Sequence, residues 1–202
     1  NAGANGQYFF QLSSRNQIKN THLFTTVFID ELRLATILDT KKSRNQLGFT
    51  IGGSKTDIFI PYLTLGGEYT KVRPFVYNNL LPTQFYTQYD YSLGDWMGNN
   101  ADRILAFVQY NPLPKWYNKI SYQKIRKGGP GTTEQQYLAN PQPAFLFDPQ
   151  FNQTAIRVES TYQLMPQAHV QFSYYLSNTQ PNNNTTTTKY QNIQLGFYYG
   201  LY

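Results

Sequence analysis

QTAIRVESTYQLMPQAHVQFSYYLS, residues Gln153 to Ser177, is the stretch on which the fold turns. In an extended chain successive side chains point to opposite faces. Before the Met-Pro-Gln break, Ile156, Val158, Tyr162 and Leu164 share one face, while Ala155, Arg157, Glu159, Thr161 and Gln163 share the other. After it, Val170, Phe172, Tyr174 and Leu176 oppose His169, Gln171, Ser173, Tyr175 and Ser177. Two such runs joined by so short a break read as an antiparallel hairpin. Arg157 and Glu159 are costly in a dry core. They suit either the solvated face of a soluble sheet or the polar lumen of a membrane barrel.

Working outward, alternation and turn residues mark nine extended segments, at about 7–14, 22–33, 43–52, 57–72, 101–111, 116–127, 153–164, 168–177 and 190–202. The connections differ in length. NPLPK and MPQ are short; residues 73–100, 128–152 and the NTQPNNNTTTTK segment at 178–189 are long. Short connections at one end and long ones at the other are the pattern of an outer-membrane barrel with periplasmic turns and extracellular loops. Tyr and Trp near the strand ends fit the aromatic girdles of such a barrel.

Composition agrees with an all-β chain. Among 202 residues, 17% are aromatic and only 14% charged, with 18 Tyr and 14 Phe. The mean hydropathy of −0.54 therefore comes from Asn, Gln, Thr, Ser and Tyr. A disordered chain lacks aromatic and β-branched residues, and a helical bundle is rich in Ala, Leu, Glu and Lys. There is no cysteine, hence no disulfide framework and no thiolate metal site. No apolar run approaches the ~20 residues of a membrane helix. The opening NAGANGQYFF carries no signal-peptide features. A net charge of +6 suits anionic lipid headgroups or an acidic polymer; no nucleic-acid motif occurs.

If the last strand ends in the periplasm, nine strands place the chain's entry at the outside. Bacterial single-chain barrels have an even count. The chain therefore reads as one domain over 1–202, incomplete at its N-terminus: the C-terminal half of a larger antiparallel up-and-down transmembrane β-barrel. In NIQLGFYYGLY, Ile193, Leu195, Phe197, Tyr199 and Leu201 form the expected lipid face. Tyr202 resembles the closing aromatic by which barrel-assembly machinery recognises its clients.

Chemistry-bearing motifs are few. No HExxH, GxSxG or P-loop occurs, and His22 and His169 are far apart. His169 and Ser173 share a face, but two strand repeats, ~13 Å, separate their Cα atoms. A non-catalytic protein without cofactor or metal is expected. Asp30 and Glu31 are neighbours, so a bulge or a strand end is needed to bring both to one place. With Glu68, Arg157 and Glu159 they are candidates for contacts to the lumen or to a plug. A sugar polymer asks for aromatic faces, amides or carboxylates for hydroxyls, and cations for acidic groups. Tyr89, Tyr91, Asp95, Trp96, Asn99 and Asn100 supply the first two in one loop. Arg103, Lys124, Arg126 and Lys127 supply the cations. The competing reading of these residues is an aromatic girdle with basic side chains facing lipopolysaccharide or solvent. The run 182–188 reads as a loop tip.

FTTVFIDEL (Phe24–Leu32), LGGEYTKVRPFVY (Leu65–Tyr77) and TQYDYSLGDWMGNNADRI (Thr87–Ile104) resemble consecutive landmarks of the Wzi-type capsule-assembly barrels, in their Bacteroidetes version. The matching residues are Asp30 and Glu31; Glu68, Tyr69, Pro74 and Tyr77; then Leu93, Gly94, Gly98, Asn99, Asn100, Ala101 and Asp102. Ser92, Asp95 and Trp96 depart from the family's Tyr-Gly-Gln-Pro-Leu-Gly-like run. The resemblance implies a barrel of roughly eighteen strands, of which nine are half. It implies an integral protein of the bacterial outer membrane, in contact with bilayer and lipopolysaccharide, that anchors or organises anionic capsular or other surface polysaccharide. The alternatives are a scaffold subunit among other outer-membrane complex subunits and a diffusion channel for small polar solutes.

Overall fold

The computed structural model describes residues 8–31, 45–78, 87–88, 91–182 and 186–200. Nine long strands follow in order: β1 (Tyr8–Ile18), β2 (Thr21–Glu31), β3 (Gln46–Thr56), β4 (Leu63–Val72), β7 (Ala101–Leu113), β8 (Trp116–Lys127), β9 (Phe151–Met165), β10 (Ala168–Pro181) and β11 (Thr188–Tyr199). Each pairs antiparallel with the next, giving one up-and-down sheet. The sheet is open, with β1 and β11 as its edges among the described residues. Between β4 and β7 lie two short strands, β5 (Thr87–Gln88) and β6 (Tyr91–Ser92), paired with one another. A single short helix, α1 (Thr133–Leu138), follows β8; Thr132 and Gln135 close its first turn as a capping box.

All nine expected strands exist, with shifted ends. The fourth begins at Leu63 rather than 57, because Asp57, Phe59 and Tyr62 adopt positive φ. Asp57 organises that turn: its carboxylate accepts from Tyr62 N and from the Asn20 amide, each at 2.8 Å. The eighth continues to Pro181 and the ninth begins at Thr188, so six of the twelve residues of the expected 178–189 loop are strand. Residues 183–185, Leu201 and Tyr202 lie outside the described residues. Turns 19–20, 57–62, 114–115 and 166–167 share one end of the sheet, and the described parts of the longer connections, 73–78, 93–100 and 128–150, lie at the other.

The register converts alternation into two faces. Leu65, Val108, Ile120, Val158, Tyr174 and Ile193 are successive cross-strand partners. One residue over, Gly66, Phe107, Ser121, Arg157, Tyr175 and Asn192 form the neighbouring row on the opposite face. The apolar face is the more exposed one, with Ile104 at 51%, Ile120 at 54% and Leu195 at 78%. The polar face is half-buried and bonded across strands: Thr50 to Thr70, Thr56 to Thr64 and Gln153 to Thr179, each at 2.9 Å. A soluble sheet buries its apolar face; this one presents it.

Two polar-face glycines sit opposite phenylalanines. Gly52 pairs with Phe24, and Gly66 with Phe107. A Cβ on Gly66 would stand 2.3 Å from Phe107 Cζ and 2.9 Å from Ser54 Cβ. The rings thus lie over the glycines, covering backbone that has no side chain of its own. Gly66→Val is expected to cost about 1–3 kcal/mol by overpacking, read as a lower urea midpoint with an unchanged slope.

The buried core is small and lies at the long-loop end. Ala101, Ile125 and Phe151 project from the polar face there and are roofed by Met97. Phe75 stacks on Phe147, with ring centroids 5.7 Å apart, joining segment 73–78 to segment 128–150.

Candidate functional site

The long-loop end is a roof, and Asn100 locks it. Asn100 is fully buried with φ of 53°, a left-handed backbone that Asn tolerates better than most residues. Its side-chain amide donates to Gly129 O (2.9 Å) and Phe147 O (3.1 Å) and accepts from Leu146 N (2.7 Å). Its backbone accepts from Gly128 N and donates to Arg73 O. A Cβ on Gly128 would fall 2.2 Å from the Asn100 amide nitrogen, so the glycine is what lets the amide in. Next to it, Lys127 Nζ donates to Met97 O (2.7 Å) and Asn99 O (2.5 Å). Arg73 is held among these segments, and burial pushes its guanidinium below its ordinary value.

The roof is tied to the sheet at two further points. Asp95 N donates to Tyr77 Oη (2.9 Å), and the Tyr77 ring rests against Phe28 of β2. Asp95 also accepts from Met97 N, closing its own turn. With its amide turned to suit its neighbours, Gln46 donates to Asp30 Oδ2 (2.8 Å) and Phe75 O (2.9 Å) and accepts from Gln136 Nε2 (2.7 Å). The acidic pair thus meets the roof through Asp30. Adjacency asks for a bulge or a strand end, and both occur: the register shifts between Ile29 and Glu31, and Glu31 is the last residue of β2. Under the roof, Thr26, Thr50, Thr70, Tyr77 and Asp95 line a cleft of about 240 Å³.

Of the expected sugar-binding residues that are described, Trp96 and Arg103 come together, and the others are drawn elsewhere. Asn100 is a structural residue whose amide is spent on backbone; Asn99 and Asp95 are likewise drawn into turn and roof. Arg103 and Arg126 lie on opposite faces, since Asp102 pairs with Arg126 and Arg103 with Ile125. On the polar face, Arg103 forms an ion pair with Glu68 and lies 5.6 Å from the Trp96 ring. On the apolar face, Arg126 grips the buried Asp102 through Nε (2.9 Å) and Nη2 (2.5 Å), and Tyr69 Oη donates to the same carboxylate. Trp96 is 64% exposed and free to meet a ligand ring. Tyr89 and the side chains of Tyr91 and Glu31 lie outside the described residues.

Arg157 and Glu159 occupy the polar face of β9, with Arg157 Nη1 3.8 Å from Glu159 Oε1 and its guanidinium 5.1 Å from the Tyr175 ring. Among the described residues no three His, Cys, Asp or Glu side chains gather as a metal-binding group. The lock of Asn100, Lys127 and Gly128 went unread in the sequence. Its signal was the KGGPG run directly after a strand, where glycine permits close approach.

Compared with protein-family models, curated proteins and solved structures, the chain finds no match.

Proposed function

We propose that this chain is a wall of an outer-membrane β-barrel that holds surface polysaccharide at the cell exterior and performs no chemistry. The observation that carries the membrane reading is the inverted sheet: an apolar row from Leu65 to Ile193, exposed at Val108, Ile120 and Ile193, backs onto a polar face bonded across strands at Thr50–Thr70 and Gln153–Thr179. No helix among the described residues is long and apolar enough to cross a membrane, and a barrel crosses with strands. In hydrocarbon the free edges of β1 and β11 would leave backbone groups unpaired. With nine antiparallel strands these edges run parallel to one another, so further strands complete the wall to an even number.

The turn-bearing end carries Tyr62, Tyr110, Trp116, Tyr162 and Tyr199, all exposed, as an aromatic girdle does. The roofed end supports a closed barrel over a diffusion channel, because Met97 is held over Ala101 and Ile125 on the polar face by Lys127, and Asn100 ties it to Gly129. The polysaccharide reading is supported by Trp96, an exposed ring beside the Arg103–Glu68 pair, and by the Wzi-type resemblance of residues 24–104.

Trp96→Ala is expected to lower retention of surface polymer on intact cells by about tenfold, the loss of one aromatic stacking partner. Insertion of the barrel should be unchanged. Full retention with normal insertion would overturn the polysaccharide reading.

A further inference from the structure

We propose that the polar face of β8 to β11 carries a second binding site, built for one acidic sugar unit, with Arg157 as the receptor for its negative charge. The inference rests on the polysaccharide reading and gives that reading a ligand chemistry and a place inside the wall rather than on its loops.

The hollow comes from the alternation of side-chain size between neighbouring rows. Ser121, Arg157, Tyr175 and Asn192 are cross-strand partners in one row. Gln123, Ala155, Ser177 and Tyr190 are partners in the next polar-face row toward the roof. Ala155 and Ser177 are small and buried, so that row lies low beside its larger neighbours. Tyr175 and Tyr190 have ring centroids 6.1 Å apart and planes tilted by 58°. Arg157, Ser173, Tyr175, Tyr190, Asn192 and Gln194 line a half-open hollow of about 350 Å³, within the range of small-ligand sites. Arg157 and Tyr175 also border a smaller hollow of about 170 Å³ over Ser121 and Gln123.

The chemistry of the lining names the ligand class. Two tyrosine rings offer flat amphipathic faces on which a pyranose can lie, since each combines an apolar body with a polar tip. Asn192 and Gln194 add amides, and Ser173 a hydroxyl, for sugar hydroxyl groups. A guanidinium binds a carboxylate through two parallel N–H donors. That of Arg157 is oriented by the Tyr175 ring and lines the hollow; among the described residues its nearest carboxylate is Glu159 at 3.8 Å, longer than a hydrogen bond. Glu159 lies in the row beyond, partnered by Ser173. It sets a limit of one negative charge placed at Arg157 rather than a polyanion spread along β9.

The test is titration calorimetry on the full chain in detergent micelles. Its probes are methyl glucuronide, methyl glucoside, glucose 1-phosphate and inorganic phosphate. Methyl glucuronide should bind at least about tenfold more tightly than methyl glucoside, the worth of a charge-assisted pair. Arg157→Gln should bring the glucuronide down to the glucoside, with far-ultraviolet circular dichroism unchanged; Tyr175→Leu should weaken both sugars. Glucose 1-phosphate binding as tightly and losing as much in Arg157→Gln supports the acidic-sugar site and makes its anion a phosphate. Equal binding of glucuronide and glucoside, unchanged affinity in Arg157→Gln, or inorganic phosphate matching the glucuronide would overturn it. Loss of polymer retention in Trp96→Ala with unaltered glucuronide affinity in Arg157→Gln removes this site and leaves the broader function standing. The reverse pair of results keeps the site and removes that function.

Discussion

Asn100→Ala should lower the unfolding free energy by about 2 kcal/mol or more, because it leaves Leu146 N and the buried Gly129 O without their partner at about 1–3 kcal/mol each, while Phe147 O keeps its bond from Gly129 N. The loss should be local at first. The sheet ladder does not run through Asn100, whereas the joining of segments 73–100 and 128–150 does. Limited proteolysis of the folded protein should therefore cut within 128–150 far sooner in the variant, before urea unfolds the strands. Asn100→Asp is expected to fare no better: it keeps the acceptor for Leu146 N, loses both donors and buries a charge. Gly128→Ala should imitate these effects, since its methyl would occupy the place of the amide. A variant as stable and as protease-resistant as the parent would show that the roof is held elsewhere.

Ile120→Arg and Ser121→Arg are adjacent changes with opposite expected results. Ile120 is midway along β8 on the apolar face, and Ser121 is on the polar face. An arginine at the hydrocarbon midplane costs about 2–4 kcal/mol in a barrel, so Ile120→Arg should strongly reduce the folded, heat-modifiable form recovered from membranes. Ser121→Arg should cost no more than about 1 kcal/mol, the repulsion from Arg157 directly across the strand pair. In water the prediction inverts its meaning. Ile120 is 54% exposed, and a charge there on a soluble sheet would be harmless. Equal recovery of both variants from membranes would sink the membrane reading.

Most of the sheet was legible because period-two alternation is local. Ile156, Val158, Val170, Phe172 and Leu176 can be placed on one face with no knowledge of their partners, and the register does place them there. The need for a bulge at Asp30–Glu31 followed from the same parity argument. Strand ends were less legible. Asp57 and Tyr62 stop β4 from starting early through a carboxylate-to-backbone bond and left-handed φ values that composition does not display.

The candidate site divides in the same way. That Arg157 and Glu159 belong to a polar face follows from spacing along one strand. That Arg157 meets Tyr175 and lines one hollow with Tyr190 depends on the registers of β9, β10 and β11 together. Arg103 and Arg126 failed as one cationic cluster because their pairing partners put them on opposite faces. Asn100, sugar-like in composition, spends its amide on the backbone of a segment 29 to 47 residues away, and Asn99 is buried beside it with its main-chain carbonyl held by Lys127.

By itself the sequence determined an all-β chain of alternating strands with short connections at one end and long ones at the other, because side-chain alternation and turn chemistry act over a few residues. Only the tertiary structure decided which polar side chains are spent holding the roof and which remain available over the wall. Hydrogen-bond partners and burial are set by strands and loops far apart in the chain, and Asn100 and Arg157 differ in their surroundings rather than in any local pattern.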